Sequence, residues 1–594
     1  MDGRQEIRDA CARAEIIPPM DPPADSGGGD DREIPPGETY QEPPEAEGAQ
    51  FPLNDYGNGQ RLLTYFGRDI LFVPRLGWFR WQGERWLADE DELKVRADAQ
   101  KIAGRILSEI EFLALEDWER DAIELGRELT GELRDLEKMP RDQVSDEDRK
   151  RLRELREIVG RADDIKERFG KRKSAHRSHA RNSGNSGKIS NMMVEARTAV
   201  ACGINDLNSD PLALNVANGT IRFQLDLDPH SEAWGRRDPD WRLQLDPHDR
   251  ADMISKLVPV AYHKGAKCRL WREFLDRVQP DPAMQRFLQR WAGYCLTGKT
   301  TEQKLVFHFG GGRNGKSTFT DTIAKILSDY GTTVPIETLT GSEQRKGSDA
   351  TPDLVRLPGA RFVRASEPER GTRMKEAMIK ALTGGEAIMI RRMMQEFVEV
   401  EPEFKLNISG NHKPEIRGGD DGIWRRVLLV PWQEQIAECD VDAGLPEKLW
   451  AEREGILAWM VEGCLDWLRT GLQIPASIRE ATEEYREASD PIRLFLKTEC
   501  EITGASDDWL RARDLTDAFL GWMIETEQGA WGTRTVANHF KERANGGFKG
   551  PDGQQFTPAK RSDTGYIGIR LKEDAWDRIA KYGEQIRAAA ARKG

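Results

Sequence analysis

Apolar residues recur along this chain with different periods, and each change of period marks a change of structure. From Asn54 onward the stretch GNGQRLLTYFGRDILFVPRLGWFRWQGERW interleaves Phe72, Trp78, Trp81 and Trp86 with turn residues, which predicts short hairpin strands. Aromatic residues in hairpins usually fill a core, so these are read as packing residues rather than as platforms for stacked bases. Between Asp89 and Phe169, Ile102, Ile106 and Ile110 recur at helical spacing among Glu, Lys, Arg, Leu and Ala, which predicts two or more long helices broken at Pro140. Asn218-Gly219 then signals a hairpin turn. Leu270, Trp271, Phe274, Phe287, Leu288 and Trp291 mark a helical segment between Cys268 and Gly298. Leu305-Val306-Phe307 is an apolar run of strand type, and Phe319, Ile323, Ile326, Leu327 and Tyr330 follow at helical spacing up to Gly331. Three more strands are expected, at Phe362-Val363, in FKLNISGN and in WRRVLLVPW. Beyond Ala488, Leu515, Phe519 and Met523 share a helical face, TRTVANHFKERANGG forms a second helix, and Ile567, Ile569 and Leu571 alternate as one wing strand of a small winged-helix domain.

These patterns divide the chain into a disordered acidic, Pro-rich tail (1–50), an N-terminal α+β domain with a helical insertion (51–265), a helical connector (266–303), a nucleotide-binding unit (304–475) and the winged-helix-like domain (488–580). The tail holds SGGGDD, Pro-Pro pairs and few large apolar residues. The fold class is α/β at the nucleotide-binding unit, with a mixed α+β region before it.

Chemistry enters at residues 310–317, which fit G-x-x-x-x-G-K-S between the expected strand and the expected helix. A phosphate needs a tight turn whose backbone N–H groups and following helix N-terminus face one anion. Side chains at Gly310, Gly311, Gly312 or Gly315 would obstruct that approach. Arg313, Asn314 and Thr318 complete the cradle, Lys316 reaches the β/γ-phosphates and Ser317 ligates Mg²⁺. Glu367 follows the strand in ARFVRASE and is placed to polarise the attacking water or to support Mg²⁺. Asn411 ends the next strand, where its amide holds the lytic water or senses the γ-phosphate. The chain therefore reads as a nucleoside-triphosphate-binding protein.

Charge narrows the partners. The formal net charge of −13 argues against indiscriminate coating of nucleic acid, so local basic patches matter more than the total. Arg168, Lys171, Arg172, Lys173, Arg177, Arg181 and Lys188 occur with no acidic residue among them, as a phosphate contact or a solvated loop. His176 and His179 form H-x-x-H without further nearby ligands. Asp226 and Asp228 with His230 have the residue types of a carboxylate pair and histidine for nucleotidyl transfer, but Asn218-Gly219 is a hairpin turn signal and D-x-D-P is common loop chemistry. Seven scattered cysteines without a C-x-x-C pair indicate neither a disulfide framework nor a zinc site. The N-terminus lacks the apolar core of a secretion signal, and no run approaches the roughly twenty apolar residues of a membrane span. A cytoplasmic location, in a bacterial host or phage-infected cell, is expected.

Taken in order, GGGRNGKST, RFVRASE, KALTGGEAIMIRR, FKLNISGNHKPEI and DDGIWRRVLLVPW resemble the A, B, B′ and C motifs and following arginine of superfamily 3 helicases, above all the phage/plasmid and poxvirus primase-helicase group. The likeness runs from about Asp55 to Trp432. It implies an AAA+-like core, ATP as the nucleotide, and a homo-oligomeric ring, usually a hexamer, moving 3′-to-5′ along single-stranded or forked DNA. It also implies catalysis by Lys316, Glu367 and Asn411, a trans arginine finger at Arg426 with Arg425 as its rival, and DNA contact by Lys380, Arg391 and Arg392 in a pore hairpin. Many members carry two adjacent acids in motif B, whereas Ser366-Glu367 has one, so the metal-ligand and base roles stay unseparated. A primase or other replication protein is a further expected partner. The helical insertion after Trp86 departs from the pattern. Two alternatives stand beside an ATP-dependent DNA helicase: a primase-helicase whose primase activity is not visible in the chain, and an ATP-switched DNA-binding scaffold that loads a replisome. Arg534, His539, Lys541 and Arg543 on the second winged-helix helix face DNA or a replication partner.

Overall fold

In this computed structural model, which describes residues 42–141, 143–225, 241–341, 351–391, 397–416, 421–526 and 531–593, the apolar runs after residue 304 build one five-stranded parallel sheet. In chain order its strands are Leu305–Phe309, Gly331–Thr333, Phe362–Ser366, Lys405–Gly410 and Val427–Pro431. Across the sheet they lie fifth, first, fourth, third, second. Leu305–Phe309 and Val427–Pro431 are apolar at nearly every position because both of their faces are covered. Val306, Phe319, Leu428 and Val430 enter one core, and Leu305, Phe307, Leu406, Ile408 and Leu429 enter the other.

The first of these cores is continuous with Leu214, Ile221, Trp271, Trp291 and Trp459, so it crosses the positions 265 and 303 at which composition changes. Local bonds stitch the same junction: the backbone N–H of Asn215 donates to the Tyr330 hydroxyl (3.2 Å), and Trp291 Nε1 donates to Asn407 Oδ1 (2.7 Å). Ala213–Val216 and Gly219–Leu225 form the expected hairpin, joined by Trp241–Asp246. Asp226, Asp228 and His230 lie outside the described residues.

Lys405, at the start of the central strand, is 2% exposed. Its ammonium donates to the carbonyls of Thr297, Lys299 (3.2 Å) and Glu403 (3.3 Å), yet burial pulls its pKa down to about 7 from the ordinary 10.5. A depressed lysine means that the unfolded chain binds more protons between those values. Stability is therefore gained as pH rises from about 7 toward 10.5 and is lost as pH falls through the folded value. Lys405→Met should flatten this rise, checked by urea unfolding at pH 6.5, 8 and 9.5; parallel curves for both proteins would exclude Lys405 as its source.

In the N-terminal region the aromatic stretch forms a meander of Ile70–Val73, Gly77–Trp81 and Trp86–Ala88. Trp78, Trp81 and Trp86 are buried, which leaves no face for a stacked base. The insertion is helical over Leu93–Glu109, Asp117–Lys138 and Asp146–Ser183. The last of these runs through the basic segment, which is thus helix and not loop to Ser183. Ile165, His176, Ala180 and Ser183 bury one side and hold it there. Ordered structure also precedes Asn54. A short helix over Pro44–Gly48 is docked because the buried Arg61 draws in the carbonyls of Gly48 (2.9 Å) and Pro52 (3.0 Å) and the Glu109 carboxylate (2.9 Å). Most of the expected tail lies outside the described residues.

The C-terminal region has its own core, from Ile492 to Ile586. Helices Ala512–Glu525 and Thr533–Glu542 appear where periodicity places them. The expected single wing strand is two: Thr564–Ile567 pairs with Trp509–Arg511 and Thr557–Lys560, whereas Ile569–Leu571 pairs with Cys500–Ile502. The break falls at Gly568, with φ +81°, whose carbonyl accepts from Thr503 N (2.8 Å). Among the described residues no helix is long and apolar enough to cross a membrane.

Candidate active site

Three neighbouring parallel strands end at one edge of the central sheet, and each delivers a residue of the expected chemistry there. Leu305–Phe309 leads into the glycine loop, and the helix Lys316–Leu327 starts directly after it. Lys405–Gly410 pairs with that strand, Gly410 opposite Phe309, and hands over Asn411. Phe362–Ser366 flanks it on the other side, Ser409 opposite Ser366, and hands over Glu367. Strand order, and not nearness in sequence, brings the three together.

The loop is shaped by two of its glycines. A Cβ on Gly310 would lie 2.2 Å from the Trp432 carbonyl oxygen, and one on Gly315, with φ +85°, would lie 2.8 Å from Val278 Cγ1. At Gly311 and Gly312 a Cβ would meet nothing within 4 Å. The protein itself therefore requires glycine at Gly310 and Gly315, while Gly311 and Gly312 face open space, where a side chain would meet only what approaches the loop. Asn314 clamps the turn, donating from Nδ2 to the carbonyls of Gly311 (2.6 Å) and Trp432 (3.0 Å). Arg313 takes a left-handed conformation, φ +58°, its carbonyl accepting from Ile436 N (2.8 Å).

Lys316 is 4% exposed. Its ammonium turns back over the loop and donates to Gly310 O (2.6 Å), Gly311 O (2.9 Å) and Asn411 Oδ1 (3.0 Å). Burial pulls its pKa below the ordinary lysine value, and the charge of Glu367 opposes that pull. Glu367 is exposed, with φ +56°, and its backbone N–H donates to Ser409 O (2.8 Å). Ser317, in the first turn of the helix, is exposed and Thr318 is half-buried. The arrangement offers a cation, a carboxylate, an amide and a helix N-terminus around one space, a set able to hold a polyphosphate and act on water beside it.

The arginines sit elsewhere. Val427 pairs with Leu305 and Pro431 with Phe309, so Arg425 and Arg426 stand at the opposite end of the strands, about 16 Å from the loop at the rise of a strand. Arg426 is 8% exposed; its Nη1 donates to Thr383 Oγ1 (3.0 Å) and its Nε is buried without a partner. Arg425 is exposed. The resemblance implies Arg426 as the finger with Arg425 as its rival; of the two, Arg425 is the exposed one and Arg426 the buried one. Of the DNA candidates, Lys380 is half-buried on the helix Glu376–Gly384, and Arg391 ends the first strand of an antiparallel hairpin, Ile388–Arg391 with Phe397–Val400. The Arg391 guanidinium lies over the Phe397 ring at 5.1 Å. Arg392 lies outside the described residues.

His308 carries a signal that motif reading passes over. Fully buried beneath the loop, it accepts from Trp432 Nε1 at Nδ1 (3.1 Å), and burial lowers its pKa to about 3. It stays neutral and fixes the ring of Trp432, whose carbonyl holds Asn314.

Residues 59–280 match the family described as D5 N terminal like, and residues 308–426 match a family of unknown function (DUF5906). The chain is similar to putative helicase L207/L206 of Acanthamoeba polyphaga mimivirus, 27% identical over 240 residues, covering 38% of this chain and 25% of that protein. It is equally similar to putative helicase 022R of Frog virus 3 (isolate Goorha), 27% identical over 267 residues, covering 42% and 27%. It therefore spans about a quarter of the length of these relatives. The apo structure of the NrS-1 C terminal region aligns with 59% of this chain and 96% of its own at 12% identity, with a TM-score of 0.34.

Proposed function

From the chain's place in the phage and viral primase-helicase-like group, we propose that it is an ATP-dependent DNA helicase of superfamily 3 type, working as a ring in the replication of a phage or other mobile element. The observation that carries this is the meeting of Lys316, Asn411 and Glu367 at one edge of the parallel sheet, around a loop with room at Gly311 and Gly312. The sheet with its phosphate loop is read as an AAA+-like core and the C-terminal region as a winged helix.

The donor set fits ATP with Mg²⁺. Lys316 and the N-terminus of its helix would hold the phosphates, exchanging the bonds to Gly310 O and Gly311 O for phosphate oxygens. Ser317 would ligate the ion, and Glu367 would serve the ion or the water. When bound, the nucleotide supplies the phosphoryl bond whose hydrolysis drives movement. Asn411 Oδ1 already touches the Lys316 ammonium, so a change at the phosphates is felt at the strand between the loop and Glu367. That strand is entered from Val400 and Lys405, just after the Arg391 hairpin. The hairpin is read as the DNA grip, and its connection to the central strand as the route by which hydrolysis moves it.

Strand separation on a forked substrate, with hydrolysis stimulated by DNA, tests the proposal. Arg391→Ala should weaken single-stranded DNA binding irrespective of base sequence and lower its salt slope by about one. Affinity on two unrelated oligonucleotides over a salt series reads this; loss on one sequence alone speaks against a pore contact. DNA-stimulated hydrolysis without strand separation would favour the loading scaffold.

A further inference from the structure

The helix Asp146–Ser183 changes character along its length. From Asp146 to Glu167 acids and bases alternate, whereas from Arg168 to Asn185 there are six basic residues and no acid. Two of the six are committed within the protein: Arg172 pairs with Glu119 (2.6 Å), and Lys171 with Glu167 (2.5 Å). Lys173 lies over the Phe169 ring at 4.5 Å. Arg177 and Arg181 are exposed and have no ion-pair or hydrogen-bond partner among the described residues. Lys173, Arg177 and Arg181 are spaced i, i+4, i+8, one row of charges about 6 Å apart along the axis. Holding like charges in a row without counter-charges costs stability, which an anionic partner offsets.

The side chains between these charges define that partner. Gly170, Ser174, Ala175, Ser178 and Asn182 are exposed and small, so a rod-shaped polyanion can lie close against the helix. No large apolar residue is exposed on this stretch, and a protein partner would need such an anchor at the centre of its interface. Phe169 is half-buried under Lys173, so this stretch offers no exposed ring of the kind on which a single strand stacks. On the inner side His176 and His179 are half-buried or buried, His179 Nε2 lying 2.8 Å from Asn58 Oδ1, and burial pulls both below the ordinary histidine range. They add no charge at neutral pH, so the row works through its lysine and arginines alone.

We propose that this half-helix is a contact for the phosphate backbone of duplex DNA, an arm outside the motor that engages the double-stranded part of a fork. The assignment rests on the DNA-acting reading of the chain, but its site is separate from the Arg391 hairpin and needs no nucleotide. Contacts of this kind position without reading sequence.

The test uses the full chain without nucleotide. Affinities of the wild type, Arg177→Ala/Arg181→Ala and Arg177→Lys/Arg181→Lys are measured for a blunt duplex and a single strand of equal length, over a salt series and on two sequences. The alanine pair should weaken duplex binding about tenfold and lower its salt slope by about two, equally on both sequences, while single-strand binding changes less than twofold. The lysine pair should restore the duplex value, which a merely structural role would not do. Matching melting temperatures exclude misfolding, and single-residue variants replace the pair if they differ. Unchanged duplex binding overturns the proposal and leaves the row to an acidic protein surface; a loss confined to the single strand overturns the choice of duplex. A chain that neither hydrolyses ATP nor separates strands sinks the helicase reading but leaves the duplex measurement standing on its own.

Discussion

Lys316→Ala is expected to lose nucleotide binding, whereas Glu367→Gln is expected to keep binding and lose turnover by a factor of about 10² to 10⁴. The difference follows from where the two groups stand. The Lys316 ammonium lies within 3 Å of the carbonyls of Gly310 and Gly311, inside the loop that would wrap the phosphates, and meets ground-state charge. Glu367 is exposed, beyond Asn411, and as the base it would act on the water that approaches the phosphate from outside; if it serves the ion instead, Glu367→Gln should weaken Mg²⁺-dependent nucleotide binding as well. Interactions made in the ground state set binding, and those made only in the transition state set the rate. A second readout separates them further. The Glu367 charge opposes the burial that depresses Lys316, so Glu367→Gln lets the Lys316 pKa fall further. Because Lys316 must be protonated to hold phosphate, nucleotide affinity should decline with rising pH sooner in Glu367→Gln than in the wild type. Calorimetric binding across pH, beside steady-state hydrolysis, checks both claims. Unchanged turnover in Glu367→Gln removes that residue from the mechanism.

The elements that sequence predicts well are those whose signal is local and whose burial is two-sided. Leu305-Val306-Phe307 announces a strand because every position is covered, and Gly310 to Gly315 announces a loop because four glycines in six residues suit a tight turn and neither a strand nor a helix. Strand order was not legible, since nothing in RFVRASE or FKLNISGN states that Asn411 lies between the loop and Glu367. That follows only when the two cores close on both faces of the sheet. The basic segment after Arg168 reads as a phosphate contact or a solvated loop because glycine and serine, at Ser183, Gly184, Ser186 and Gly187, loosen its end. Tertiary burial of Ile165, His176, Ala180 and Ser183 holds it in helix to Ser183. The wing strand failed for the opposite reason. Ile567, Ile569 and Leu571 alternate without interruption, but Gly568 turns the chain between two sheets, and alternation does not register one left-handed residue. Lys405 gave no signal at all, because a lysine opening an apolar strand reads as a boundary until three backbone carbonyls are found around it.

Arg425→Ala is expected to slow hydrolysis about a thousandfold or more while nucleotide binding and assembly persist, and Arg426→Ala is expected chiefly to lower the melting temperature. Neither arginine can serve the phosphate loop of its own chain, since both stand at the far end of the strands that lead to it. A finger must therefore act on a neighbouring subunit, and to do so it has to be exposed. Arg425 is; Arg426 is buried against Thr383, and burial with Arg425 beside it pulls its pKa below the ordinary arginine value. Removing Arg426 leaves a void beside Gly384 and strips the Thr383 hydroxyl of its donor, so its activity loss should follow the misfolded fraction. The deciding experiment mixes Arg425→Ala with Lys316→Ala protein at a concentration where rings form. Some interfaces then pair an intact loop with an intact finger, and hydrolysis should return although neither parent has any. Exchange of subunits without recovery would show that Arg425 does not act in trans. If, instead, well-folded Arg426→Ala is the inactive protein that Lys316→Ala rescues, then Arg426 must leave Thr383 on assembly, and the buried position is the resting state of the finger.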